Sequence, residues 1–591
     1  MADSKLIYAA IDLGTSFSGW AYSTKTDPEK IYVRKWYPHY SSIATQKTPT
    51  CALIRPDGSS LECFGYDAQR KFEELANDKC HENYYYFNDF KTKLYAKYNQ
   101  PLETGMRLVD QLGRPLPAIN VFSASIKYLA DDMFTELQKS LLEIKRENIQ
   151  WILTVPAIWT DKAKFLMREA AIKAGITTDS LIMALEPEAA SVCCLRFDVR
   201  AVNAESDVTL SSLEVGSKYL VVDAGGGTID LTTHEVASSK SIRQIVASGG
   251  NARGGNTINR EFETFLAEAI SSDKYDMFKQ KHTEDWLYFM ADFEGKKKYF
   301  DPEKQTKLTV KFPAALREVY ISKKKKSLLT KLNISTSKKK SFEEAISETG
   351  FGKDVSVKGD KLIFSSDMFS RFFSTAIEGT IKEMKKQFRK LSESEVSCIF
   401  MVGGFSECIL LQQSVKSAFP DLPILIPKDA SVAVLKGAVL YGHNPPVVSE
   451  RVVKYTYGVK ASEPFNKDHP FEKATFTDSG LMCVDIFHKH VTRDQLVKTD
   501  EPQKTITYYP VDKRQTCVRF DICASKLLEP RYTTDKDCRI IGTVKVQLSQ
   551  TNDARRNAIL VFFAFGGTEI DVTAIEEKTG KQVKTNVSFL E

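Results

Sequence analysis

The chain has 591 residues, too many for one core and enough for roughly three to five compact units. Hydrophobic residues make up 42% and charged residues 27%, which excludes a disordered or fibrous protein. The net charge of +6 is small for this length and gives nucleic-acid binding no support, and no run approaches the about 18 apolar residues of a membrane span.

Strand patterns are predicted at 6–11, 150–155, 181–185, 219–223 and 398–402, with helical patterns between several of them, so the first 445 residues read as α/β. In DKAKFLMREAAIKAG, Ala163, Leu166, Met167, Ala170 and Ala174 recur at helical spacing, and Gly175 offers a left-handed stop. From about 303 to 345 the chain carries KKKK at 323–326 and KKK at 338–340 among serines. It reads as a solvated excursion or, more sharply, as a basic anchor, with Lys323 to Lys326 meeting acidic lipid or acidic protein. After residue 454 the pattern changes to alternating strands such as TCVRFDICA and AILVFFAF, which suggest a β-sandwich.

Eleven cysteines include no CxxC pair, and Cys193 and Cys194 are neighbours, which points to a reducing compartment. The N-terminus MADSKLIYAAIDLG has no basic or apolar leader pattern. A cytoplasmic setting is expected, with the nucleus as the alternative.

VVDAGGGTID at 221–230 ends an apolar strand at Asp223 and places three glycines before Thr228 and Asp230. Glycine packs nothing, but it lets backbone N–H groups converge on an anion. A carboxylate at such a strand end can reach a magnesium ion through its water shell. AAIDLGTSFSG at 9–19 repeats the grammar with Asp12, Gly14, Thr15 and Ser16. One glycine loop can be a tight turn, whereas two in separate α/β halves suit a polyphosphate held from both sides.

Further motifs are TVPAIW at 154–159, LEPEAA at 185–190, MVGGF at 401–405 and LKGAVLYG at 435–442. In this order they resemble the 70-kDa heat-shock chaperones and, behind them, the actin and sugar-kinase ATPase superfamily. WILTVPAIW, LEPEAAS, VVDAGGGTIDLT and VGGFSE narrow the resemblance to the family's divergent 12A/12B branch. The fold this implies is a duplicated, ribonuclease-H-like, two-lobed ATPase domain over 1–445, a linker over 446–454, and a β-sandwich over 455–591 without a helical lid.

The resemblance also implies residue roles. Asp12, Gly14, Thr15 and Ser16 match the first phosphate loop, and Gly225, Gly226, Gly227 and Thr228 the second. Asp12, Glu186 and Asp223, with Asp230, match the carboxylates around magnesium, mainly through water. Lys91 aligns with the lysine that meets the transferred phosphate. Lys297, Lys298, Gly403 and Gly404 match the adenosine end of the site, where Glu407 replaces the arginine of ordinary members. The cofactors implied are ATP or ADP with Mg2+, and the partners are client proteins or peptides on the β-sandwich, with co-chaperones. A monomer or weak oligomer is expected.

Three further departures stand out. GGNTIN at 254–259 puts Asn256 and Thr257 where ordinary members are acidic, the junction VVSERVVKYTYGV lacks their acidic leucine-rich run, and no lid segment follows the β-rich part. The leading reading is a slow ATPase with chaperone-like protein binding; a nucleotide-gated scaffold without hydrolysis and a sugar-kinase-like phosphotransferase are the alternatives. His488 and His490 read as surface histidines rather than metal ligands, the aromatic run at 84–87 as core, and Cys193 and Cys194 as small buried residues.

Overall fold

The computed structural model describes residues 5–38, 43–96, 105–141, 143–196, 199–201, 213–321, 341–349, 354–391, 395–499, 501–549, 553–565 and 570–586. The lysine runs at 323–326 and 338–340 lie outside them.

Two mixed sheets repeat one topology. In the first, Ile7–Asp12 pairs antiparallel with Phe17–Thr24 and parallel with Ile149–Val155, and Asp27–Val33 and Leu181–Leu185 complete the order on either side. In the second, Lys218–Ala224 holds the equivalent place between Ile229–Ser238 and Val396–Val402, with Ser241–Asn251 and Ile424–Pro427 beyond. Each central strand is enclosed by neighbours and covering helices, so its sequence is a near-continuous apolar run up to an aspartate, the last residue of the first strand and the last but one of the second. The duplicated arrangement fits an actin-like ATPase fold.

Helices Glu186–Cys194 and Ala433–His443, each following the last parallel strand of its sheet, pack against one another between the two sheets. The apolar cluster they share includes Ala10, Ala189, Cys193, Tyr219, Leu435 and Tyr441. Helix Asp161–Lys173 starts at Thr160, whose hydroxyl accepts the Ala163 N–H, and stops before Gly175 at φ 95°. In the aromatic run, Tyr86 and Phe87 are buried in strand Tyr85–Asn88.

Two expectations require correction. The flanks of the basic excursion belong to the second lobe's core: Leu308 and Val310 on strand Lys307–Lys311, then Phe312, Leu316 and Val319, are buried. Lysines at alternate strand positions face outward and disguise the inward face. His490 is buried, with its ring nitrogens 3.1 Å from the Lys504 carbonyl and 2.9 Å from the Tyr508 hydroxyl, whereas His488 is exposed. A register shift in the pairing of Gly480–Val491 with Thr456–Pro464 accompanies this separation of two residues that simple alternation puts on one face.

The C-terminal segment forms two antiparallel sheets. One orders Ala474–Thr477, Gly480–Val491, Thr456–Pro464, Cys517–Ser525 and Cys538–Gln547; the other orders Ile506–Tyr508, Ile559–Ala564, Asp571–Glu576 and Lys581–Asn586. Val459, Ile522, Val544, Val561 and Val572 belong to one buried cluster drawn from both.

The junction is itself a strand. Val448–Val452 pairs parallel with the edge strand Ser241–Asn251 and antiparallel with Leu496–Lys498, so the second lobe's sheet continues into the C-terminal segment. Arg451 anchors it, donating to Glu188 from Nε at 2.8 Å and Nη2 at 2.7 Å, and from Nη1 to the Phe565 carbonyl at 3.1 Å. Without the acidic leucine-rich run, the junction is still seated on the lobe.

Candidate functional site

The first central strand delivers Asp12 to the start of a loop that returns at Phe17, with Asp12 opposite Gly19. Its Oδ1 accepts the Thr154 hydroxyl at 2.9 Å, and its Oδ2 accepts the Lys47 ammonium at 2.6 Å. The second central strand delivers Asp223 opposite Asp230, and the turn is closed by the Gly225 N–H donating to the Thr228 carbonyl at 3.0 Å. Asp230 Oδ1 accepts the Ile158 N–H at 3.0 Å, so the TVPAIW segment of the first lobe reaches the outgoing strand of the second.

The two loops touch. A Cβ on Gly226 would overlap the Ser16 side chain, and one on Gly227 would overlap that of Thr15. This explains why glycine is required at both positions: the facing loop occupies the volume. Asn256 adds a polar clasp, accepting the Ser16 hydroxyl at 2.8 Å and donating to Asp89 Oδ1 at 3.0 Å, while its own N–H donates to the Gly226 carbonyl at 2.7 Å.

Lys91 lies beside this meeting point, fully buried, with its ammonium 2.7 Å from Glu186 Oε1. The ammonium also sits 5.3 Å from the Trp159 ring centroid. Glu186 is the first residue of its helix and directly follows strand Leu181–Leu185.

The carboxylates differ in their electrostatics. Burial would raise Asp12, but Lys47 and Lys91 beside it outweigh burial and hold its carboxyl below the ordinary range. Burial raises Asp223 far above that range, and the neighbouring Glu186, Asp230 and Asp12 add to the rise. Glu186 is pushed up to about 7 by burial against the pull of Lys91. Burial also raises Asp230, against the Ile158 N–H bond. Burial works against the charge on Lys91, yet Glu186 and Asp12 keep its pKa raised.

Two ammonium groups thus partner Asp12 and Glu186, and Asp223 and Asp230 have no lysine or arginine ion pair among the described residues. Asp230 Oδ2 is buried without a hydrogen-bond partner among them. An orphaned carboxylate oxygen beside an unneutralised carboxylate fits a hydrated divalent cation. No three His, Cys, Asp or Glu side chains among the described residues gather closely enough to hold an ion directly, so the fit is to a cation held through water.

No family model matches the chain. Human heat shock 70 kDa protein 12A is 30% identical to it, across 99% of this chain and 92% of that protein. The chain belongs to the 70-kDa heat-shock protein family, in its 12A/12B branch. Human heat shock 70 kDa protein 12B is 28% identical across 99% of this chain and 91% of its own length, and the chaperone protein dnaK of Cyanidium caldarium is 24% identical across 88% and 68%.

In this heat-shock 70 branch member the residues matched to the adenosine end separate. Gly403, at φ 85°, abuts the Ala224 carbonyl and Asp223, and Gly404 is open on its Cβ side. Lys298 and Glu407 line a cavity of about 310 Å³ with Tyr299, Asp301, Lys304 and Gln305. Lys297 is not among its lining residues. Its buried ammonium donates to Glu294 at 2.6 Å, Asn259 at 3.0 Å and the Gly255 carbonyl at 3.3 Å. It braces helix Thr283–Lys298 against helix Asn256–Ile270 and against the backbone behind the second loop.

Sequence reasoning did not single out Lys47, Asp89 or Thr154 as site residues, and it placed Asn256 only as a lost charge. Thr154 opens the TVPAIW motif, which was the available signal. Lys47 and Asp89 carry no linear signal, because their partners lie 35 and 167 residues away.

Proposed function

We propose that the chain is an ATP-binding heat-shock-70-like protein that hydrolyses ATP slowly and couples nucleotide state to protein or peptide binding. The observation that supports it best is the meeting of two glycine loops, one from each lobe, beside four buried carboxylates and a buried lysine. The loop backbones and the Thr15, Ser16 and Thr228 hydroxyls would cradle the phosphates, with Gly403, Gly404, Lys298 and Glu407 towards the base. Asp12, Glu186, Asp223 and Asp230 would hold magnesium through its waters, and that ion would supply charge neutralisation for phosphoryl transfer to water. Lys91, fixed by Glu186, would face the transferred phosphate. Thr228 would orient it, and a carboxylate among Asp12, Asp223 and Asp230 would orient the attacking water.

The paired C-terminal sheets would act as a β-sandwich receiving client protein, and the junction strand with Arg451 would connect that receptor to the helix that begins at Glu186. Calorimetry with ATP, ADP and AMP, with and without magnesium, tests the site. ATP and ADP should bind and AMP should not. Single-turnover hydrolysis of bound ATP then tests the chemistry; retained binding with no turnover would reduce the protein to a nucleotide-gated scaffold.

A further inference from the structure

Lys47 belongs to no motif, yet the structure fixes where it sits. The residues that follow it, Thr48 and Pro49, pair with Ser18 and Phe17 at the exit of the first loop. The Thr50 N–H donates to the Ser16 carbonyl at 2.8 Å, and the Thr50 and Ser18 hydroxyls lie 2.7 Å apart. The Lys47 stem crosses Gly19, where a Cβ would come within 3.2 Å of its Cγ. Its ammonium ends 2.6 Å from Asp12 Oδ2. The lysine is therefore carried by backbone hydrogen-bonded to the first loop.

The two lysines at the carboxylates are not equivalent. Lys91 is 3% exposed and held by Glu186, whereas Lys47 is 17% exposed beside Asp12, at the edge of the site. An ammonium has three N–H donors, and Asp12 takes one of those on Lys47. A compact positive charge with spare donors beside a glycine loop has the chemistry of a phosphate ligand.

We infer that Lys47 is a built-in cation of the phosphate site, keeping Asp12 as one partner and offering its remaining donors to a nucleoside di- or triphosphate. The inference rests on the nucleotide reading above and deepens it. The chain itself supplies positive charge that would otherwise come from the metal, so nucleotide retention depends less on magnesium. The competing view is that Lys47 only neutralises Asp12 and never meets the ligand.

The test titrates ADP into the full chain by calorimetry, once in magnesium and once in excess EDTA. Affinity in EDTA should stay within about tenfold of that in magnesium. Lys47→Met should lower the EDTA affinity by about tenfold or more, the range of a hydrogen bond to a charged group, and the magnesium affinity by less. Lys47→Arg should restore most of the loss. Binding in magnesium with none in EDTA overturns the inference and leaves the nucleotide reading intact. Equal EDTA affinities for the wild type and Lys47→Met also overturn it, and no binding under either condition removes both. The wild-type ratio needs no variant, so a loss of binding in EDTA overturns the inference even where Lys47→Met fails to fold, and Lys47→Arg then supplies the variant arm.

Discussion

The two glycine loops sit at equivalent places in two sheets of the same topology, yet their aspartates live under opposite fields. Asp12 has the Lys47 ammonium on one oxygen and Lys91 close by, and it stays ionised despite burial. Asp223 faces Glu186, Asp230 and Asp12, and burial with that repulsion favours its protonated form. The repeat preserved the backbone that presents a carboxylate beside a glycine turn and left the charges around it free to diverge. One half brings its own cation; the other leaves a carboxyl pair without one, which an incoming cation would hold ionised.

The largest effect should come from filling the space between the halves. Gly227→Val drives a branched side chain into Thr15, and ATP binding by calorimetry should fall by about a hundredfold or more, with at most modest change in far-UV circular dichroism. Next come the two aspartates, compared by chemical denaturation of the free protein. Asp12→Asn strands Lys47 and should destabilise the first lobe by about 3 kcal/mol. Asp223→Asn removes the cost of burying a carboxyl that must take up a proton and should leave stability unchanged or raised, even as it weakens magnesium-dependent nucleotide binding. Equal losses in both would erase the proposed asymmetry.

A smaller effect concerns pH. Glu186 has a folded pKa raised to about 7 from 4.5, so its contribution is fully present below about 4.5 and is lost as pH rises through 7. Glu186→Gln should flatten the decline in stability across that window by up to about 1.4 kcal/mol per pH unit, measured by denaturant midpoints. Asp12, whose pKa is lowered, works in the opposite sense, losing its contribution as pH falls. The smallest effect is expected at the clasp. Asn256→Ala loses the bonds to Ser16 and Asp89 and should cost about 1 kcal/mol, with faster proteolysis or exchange at the loops as the readout.

Much of the architecture was legible because buried parallel strands write continuous apolar runs, and the two central ones close on an aspartate that cannot belong to the core unless it has work there. The loop glycines were legible for the same reason: three in a row have no packing role. Lys47 was not, because nothing in TQKTPT announces that its side chain crosses a hairpin formed 35 residues earlier. Lys297 and Lys298 were joined in one role although neighbours on a helix point about 100° apart, and only Lys298 lines the cavity with Glu407. The segment at 307–321 is hidden from a reading by charge because Lys307 and Lys311 are the outward half of an alternating strand and the lysine runs that follow it dominate the composition of the stretch. His490 was misjudged because register irregularities are invisible to simple alternation. The junction strand was underrated for a related reason: VVSERVV lacks the expected composition, but a β-branched run beside an open sheet edge pairs through its backbone.

Hydrogen–deuterium exchange with and without ATP and magnesium measures the central claim most directly. The loops at 12–18 and 223–230 should gain protection together, at the same nucleotide concentration, because one ligand closes on both. Protection of one loop without the other, or of neither at saturating ATP, would contradict a shared site.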